Sequence, residues 1–151
     1  MVATYLFCKN HLTFLSLLFN NYLCYIISMK FSEQILENNL NIIKSYSSDH
    51  IFIQDKKYNY NVIVPPENSI IKCNKNIKSI TQDFILKNLT NNANFVILAS
   101  NNTECIDKTP IISKLNETNI GIEFMTISSG CSSHNILVAE KRDFISFFLF
   151  N

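Results

Sequence analysis

The sequence contains very little glycine and arginine: two glycines, Gly121 and Gly130, and one arginine, Arg142. Asparagine, lysine, isoleucine and phenylalanine are abundant instead. This bias is typical of an AT-rich genome, so we interpret the asparagine as compositional and not as a prion-like tract. Hydrophobic residues make up 47% of the 151 residues. That share suits one domain with a packed core and excludes a chain that is disordered throughout.

An excess of charge of either sign is also missing. Lys and Arg total 13 and Asp and Glu total 12, which gives a formal net charge of +1. The charge balance therefore offers no electrostatic reason to expect a nucleic acid as the partner.

Paired cysteine motifs are absent as well. The five cysteines lie at positions 8, 24, 73, 105 and 131, and no two of them are spaced as CxxC. An odd number without that spacing argues against a zinc site and against a disulfide framework. We therefore expect reduced thiols in a cytoplasmic compartment, no bound metal and no other cofactor.

Residues 12–28, LTFLSLLFNNYLCYIIS, form an apolar run that Asn20 and Asn21 interrupt. A membrane helix needs about 20 apolar residues, and a secretory signal needs a small-residue cleavage site that is not seen here. Two interpretations of the hydrophobic N-terminal extension 1–28 stay open. It is a membrane segment that anchors the protein at the inner membrane, or it precedes a true start at Met29. Residues 29–151 are predicted to form a single α/β domain that folds without it.

Periodicity predicts a helix and then a hairpin in the first half of this domain. Apolar residues of 31–44 recur at spacings of three and four, as on one face of a helix. In HIFIQDKKYNYNVIV, alternation predicts a strand at 51–53, a turn at 55–57 and a second strand over 58–64. A further short strand is predicted within 69–73.

Strands and helices alternate in the second half. The predicted helices are 80–89, capped by Thr81, 110–117, with Pro110 in its first turn, and one from about 129 to 140. The predicted strands are 93–100, 120–127 and 143–150, and the first two are apolar runs typical of strands buried on both faces. The pattern indicates an α/β fold: a three-layer domain with a central mixed β-sheet, an N-terminal β-hairpin and helices packed on the sheet.

Polar residues cluster where the strand at 120–127 meets the following helix, in GIEFMTISSGCSSHNILVAEKR (121–142). Ser128, Ser129 or Ser132 can cap a helix that begins there. Cys131 in its first turn would then have a lowered pKa, with His134 one turn further along the same face. This arrangement allows a Cys–His nucleophile pair or a two-ligand metal half-site. The alternative, which we favour, is a small buried thiol beside a partly exposed histidine.

The same segment resembles a small "domain of unknown function" family. That family includes the mitochondrial complex I (NADH dehydrogenase) assembly factor three, the animal adipogenesis-associated protein and many bacterial members. Gly121, Glu123 and Met125 match its IGVEVMDT strand. The matches after the strand are Cys131, Asn135, Ala139–Glu140 and Arg142. The resemblance is specific over 119–142 and looser over the rest of 47–150.

The resemblance implies a bacterial member with a three-layer α/β fold and no established enzymatic activity. It also implies a protein partner, such as a membrane complex subunit, an assembly factor or a second copy of the chain. The location would be cytoplasmic, peripheral to the inner membrane or anchored at it. Two departures matter. His134 stands where the family has Tyr, and the Gly-Thr-Gly after the strand at 93–99 is missing, which argues against an anion-binding loop there.

Two functions remain open. The first, which we favour, is a non-catalytic interaction or assembly-factor-like domain linked to respiratory complex I biogenesis. Asn135 would then satisfy backbone groups, and Glu140 would pair with Arg142. The second is a small-molecule-binding protein or enzyme with a cleft near Cys131, Asn135 and Arg142. The candidate binding residues are Cys131, Ser133, His134, Asn135, Glu140 and Arg142.

Asn135 carries the most specific structural expectation. An amide among the apolar residues of a helix costs on the order of 1–3 kcal/mol if it is buried without a partner. We therefore predict that Asn135 is largely buried and bonded to the backbone of a neighbouring loop, linking the loop after residue 99 to the strand end near 127. Asn101 and Asn119 are predicted at exposed loop positions, where replacement by alanine costs less.

Overall fold

A computed structural model describes residues 40–90 and 92–150. These residues form two sheets and three α-helices. The strands are β1 (Ile43–Tyr46), β2 (Ile51–Ile53), β3 (Lys56–Tyr58), β4 (Val62–Val64), β5 (Ile71–Lys72), β6 (Phe95–Ser100), β7 (Gly121–Met125) and β8 (Phe144–Leu149). The helices are α1 (Gln82–Lys87), α2 (Lys108–Glu117) and α3 (Ile127–Ala139). The predicted extension 1–28 lies outside the described residues.

The smaller sheet has three antiparallel strands in the order β1-β2-β3. The predicted hairpin exists as β2–β3, but its turn is tighter than expected and its second strand ends at Tyr58. The helix predicted over 31–44 is wrong at its end, because Ile43 and Lys44 belong to β1. Ile43 pairs with Ile53, and this cross-strand pairing outweighs a local spacing that also fits a helix. Residues 31–39 lie outside the described part.

The larger sheet has five strands in the order β5-β4-β8-β6-β7. β6 pairs in parallel with β7 and β8, whereas β4 is antiparallel to both β8 and β5. The predicted central mixed sheet is therefore confirmed. The antiparallel pairs of this sheet are β4–β5 and β4–β8. The predicted hairpin does not supply them, because it belongs to the separate three-stranded sheet. β7 was predicted to be buried and is not, because it lies at the sheet edge, where every residue keeps some exposure.

Alternation along β6 creates three layers. Ile97 and Ala99 point to a core shared with the small sheet and α3, while Val96 and Leu98 point to a second core with α1 and α2. The predicted three-layer α/β fold is thus confirmed. Phe144 and Phe148 serve the first core and Phe147 the second, so β8 is buried on both faces, as a central strand should be.

The helix boundaries follow from their caps. Thr81 Oγ1 accepts the backbone N–H of Phe84 at 3.3 Å, as predicted for α1. α2 begins two residues before Pro110, with Asp107 as its cap. Pro110 lies in the first turn, where a helix does not need its N–H. Among the helices of the described residues, none is both long enough and apolar enough to span a bilayer.

Candidate functional site

The polar junction after β7 is built around the start of α3. Thr126 caps this helix: its Oγ1 accepts the backbone N–H of Ser129 at 3.3 Å. The prediction that a serine caps α3 near 129–132 is therefore wrong. The earlier start puts Cys131 beyond the first turn, where the backbone N–H groups are already bonded within the helix and the dipole effect has faded.

Cys131 is buried on the inner side of α3, with 2% of its surface exposed. Burial raises the pKa of its thiol to about 12. The predicted lowering of this pKa is wrong, since desolvation disfavours a thiolate. Cys131 therefore behaves as a small apolar side chain, as the favoured alternative proposed.

His134 is completely buried and fully hydrogen-bonded. Its Nε2 lies 2.8 Å from the carbonyl oxygen of Asn41, and its Nδ1 lies 2.8 Å from Ser146 Oγ. A carbonyl oxygen can only accept, so Nε2 carries the proton and Nδ1 accepts from the Ser146 hydroxyl. The prediction that His134 is partly exposed is therefore wrong. With both ring nitrogens in use, His134 is not available as a base for Cys131.

Two phenylalanines enclose the imidazole. The ring centroids of Phe144 and Phe148 lie 5.1 and 6.1 Å from that of His134, both edge to face. Burial lowers the pKa of His134 to about 4, partly offset by the bond to Asn41. The ring is therefore neutral at pH 7 and joins α3, β8 and the chain before β1.

Asn135 bonds to the backbone of β1. Its Oδ1 accepts the N–H of Ile43 at 2.9 Å, and its Nδ2 donates to the carbonyl of Ile43 at 2.8 Å. The amide takes the place of a neighbouring strand at the free edge of β1. The predicted backbone bonding is confirmed, but the partner and the burial differ: the side chain is half-buried and ties α3 to β1. The loop after β6 is tied instead by Asn101, whose Nδ2 donates to Ser48 O at 2.8 Å.

Replacing Asn135 by alanine should lower the free energy of unfolding by about 2 kcal/mol, because two backbone groups of Ile43 lose their partners. Equilibrium denaturation measures this loss. Asn116→Ala is the matched control, since Asn116 is an exposed asparagine of α2. Asn119 is unsuitable because its φ of 56° favours asparagine over alanine. Equal losses in the two variants would contradict a structural role for the Asn135 amide.

The remaining candidate residues, Ser133, Glu140 and Arg142, take no part in the hydrogen bonds of His134 and Asn135 described above. Arg142 lies beyond the C-terminus of α3, with its guanidinium carbon 6.0 Å from the centroid of the Phe95 ring. Glu140 is the exposed C-cap residue of α3. The predicted Glu140–Arg142 ion pair is wrong: it is not among the ion pairs of the described residues. Ser133 is half-buried.

The structure places two of the residues expected to line a cleft at different depths. Cys131 and Arg142 are 11 positions apart in sequence and lie at different depths, one in the core and one exposed. In the described part of the chain, no group of three or more His, Cys, Asp and Glu residues could hold a metal ion. The hydrogen bonds of His134 and Asn135 and the burial of Cys131 therefore give these residues a part in packing and positioning.

The sequence did not point to two residues that bond to His134, which are Asn41 and Ser146. Asn41 donates from Nδ2 to the carbonyls of Pro65 and Asn68, each at 2.9 Å, while its own carbonyl accepts from His134. Ser146 is the one polar residue in the β8 sequence FISFFL. A hydroxyl inside an apolar strand needs a partner, and that could have pointed to His134.

Known structures share this fold. A crystal structure of a Bordetella parapertussis protein superposes with a TM-score of 0.67 at 17% identity, covering 75% of this chain and 98% of the other. A Bordetella pertussis protein described as a Mth938-like domain gives 0.61 at 14% identity, covering 74% and 87%. A Bartonella henselae protein described as an outer membrane protein gives 0.59 at 16%, covering 74% and 95%.

Among curated proteins, no relative matches. A protein family described as "Protein of unknown function (DUF498/DUF598)" matches residues 43–149, which span β1 to β8. The match confirms a family of unknown function and does not extend to a complex I assembly factor. On this match the chain belongs to the DUF498/DUF598 family.

Proposed function

We propose that this protein is a non-catalytic interaction domain that binds a protein partner through the outer face of α3 and β1. The observation that carries the proposal is the use made of the polar residues in the 121–142 segment. The side chains of His134 and Asn135 form hydrogen bonds within the fold, and Cys131 is a buried thiol of the core. A reaction catalysed by these three residues would need at least one of their reactive groups free to meet a substrate.

The outer face has a definite geometry. β1 runs antiparallel to α3, because Ile43 meets Asn135 and Tyr46 Oη meets Ser128 Oγ at 2.7 Å. Ser128, Ser132 and Ile136 follow each other at spacings of four and so share one stripe of the helix. Ile136 is 53% exposed and Tyr46 49% exposed, the two highest values among the large apolar side chains of the described residues. Tyrosine is enriched among the residues that contribute most of the binding energy at protein interfaces.

The nature of the partner is a further part of the proposal. The resemblance to the mitochondrial complex I assembly factor supports a subunit or assembly factor of a respiratory membrane complex. The location proposed with this partner is the cytoplasmic side, at or near the inner membrane.

Affinity capture of the full chain from native membranes tests the proposal. Wild type and Ile136→Asp are compared with Ile112→Asp, which places the same charge at an exposed isoleucine of α2. We expect a partner retained by wild type and Ile112→Asp and lost from Ile136→Asp, with all three melting at similar temperatures. Equal retention by both variants, or a metabolite that raises the melting temperature while no partner is retained, would refute the interaction role of this face.

A further inference from the structure

A chain of cation–ring contacts joins the edges of the two sheets. Lys56 Nζ lies 5.3 Å from the centroid of the Tyr58 ring, and Lys72 Nζ lies 5.1 Å from that of Tyr60. The two rings are 6.0 Å apart, edge to face. We call these four residues the Lys–Tyr cluster. Lys56 stands on β3, an edge strand of the small sheet, and Lys72 on β5, an edge strand of the large one.

The cluster places two lysine charges beside aromatic rings that pack into the fold. Tyr58 is buried in the core shared by the two sheets, and Tyr60 packs against that core. Packing therefore limits the movement of both rings, and each ring lies near an ammonium group that it attracts. Both lysines are exposed. The result is two cations held at the two ends of an aromatic pair that is partly open to solvent at Tyr60.

The chain segment that carries the cluster has an excess of positive charge. Residues 54–78 contain five lysines and two acidic residues, a net charge of +3. One of the two acids, Asp55, is bonded to Lys44 Nζ at 2.8 Å. In contrast, residues 92–150 contain four basic and six acidic residues, a net charge of −2. The near-neutral total thus hides an excess of positive charge in the chain segment that carries the cluster.

We infer that the Lys–Tyr cluster binds an extended acidic segment of a partner protein, with a carboxylate at Lys56, another at Lys72 and an apolar side chain against Tyr60 between them. This inference rests on the proposed interaction function and adds a second contact surface to it. Charge complementarity selects an acidic occupant. The rings beside the ammonium groups favour a peptide occupant, because attraction to a layer of anionic lipid headgroups depends on the lysine charges and makes no use of an aromatic side chain.

Fluorescence anisotropy of a labelled peptide of alternating glutamate and leucine, titrated with the full chain, tests the inference. Lys56→Glu and Lys72→Glu should each weaken binding by about fivefold, the upper range for an exposed ion pair. Lys87→Glu makes the same charge change on α1, which packs on the opposite face of the central sheet, and should have little effect. Tyr60→Phe should bind like wild type and Tyr60→Ala should bind more weakly, because the ring and not the hydroxyl holds Lys72.

Three results would overturn the inference. The first is equal weakening by all three lysine variants, which would mean a general charge effect. The second is equal binding of a control peptide with lysine in place of glutamate. The third is lysine-dependent binding to phosphatidylglycerol vesicles without binding to the acidic peptide. If the inference fails while Ile136→Asp still loses its partner, the proposed function stands, so the two failures are distinguishable.

Discussion

Gly130→Ala is expected to destabilise the protein by roughly 2–3 kcal/mol, the upper part of the range for overpacking a core. A Cβ at position 130 would lie 2.5 Å from Ala99 Cβ and 3.4 Å from Phe148 Cε1. The Ala99 methyl cannot rotate away, so α3 would have to move off β6. Thermal or denaturant unfolding measures the loss. In an uncrowded helix the same change would stabilise by about 1 kcal/mol, so the sign itself is informative.

A second substitution tests whether the contact with Ala99 causes the loss of stability. Ala99→Gly removes the methyl group that the new side chain would meet. The double variant Ala99→Gly/Gly130→Ala should therefore be more stable than the two separate losses predict, with a coupling energy of about 1 kcal/mol or more. Simple additivity of the two losses would show that close approach of α3 to β6 is not the reason for glycine at 130.

Stability should fall by about 3 kcal/mol as the pH drops from 6.5 to 4, because of His134. Burial lowers the pKa of His134 to about 4 from 6.5. In this window the unfolded chain binds a proton that the folded chain does not, so acid favours unfolding. The contribution is complete above pH 6.5, is lost as the pH falls toward 4, and becomes constant below that. The shift corresponds to about 1.4 kcal/mol per pKa unit.

The groups around His134 support this expectation. Asn41 O, Ser146 Oγ and the rings of Phe144 and Phe148 contact the imidazole. None of them is charged, so none would stabilise a protonated ring. His134→Gln keeps a donor and an acceptor and should flatten the unfolding free energy between pH 4 and 6.5. His50→Gln is the control, since His50 is bonded to Asp49 on the surface. An unchanged slope in His134→Gln would contradict the assignment.

Most elements of the fold could be predicted from local patterns. β6 and β8 are long apolar runs that have to be buried on both faces, and the alternation of strands and helices indicates a parallel core. Thr81 and Pro110 mark helix starts because their chemistry is local. The predictions failed where a local pattern fits two structures. The spacing of Leu40 and Ile43 suits a helix, yet pairing with β2 and the amide of Asn135 make this segment extended.

The candidate site, too, could be predicted from the sequence only in part. The sequence by itself determined that Cys131, His134 and Asn135 lie close together on one helix, because spacing along a helix is local. Only the tertiary structure decided what they do. Their partners, Asn41 and Ile43, are more than 90 positions away in sequence, and burial alone raised the pKa of one group and lowered that of the other. Contacts between distant segments carry no local signature, so a sequence that resembles a catalytic pair folds here into a structural support.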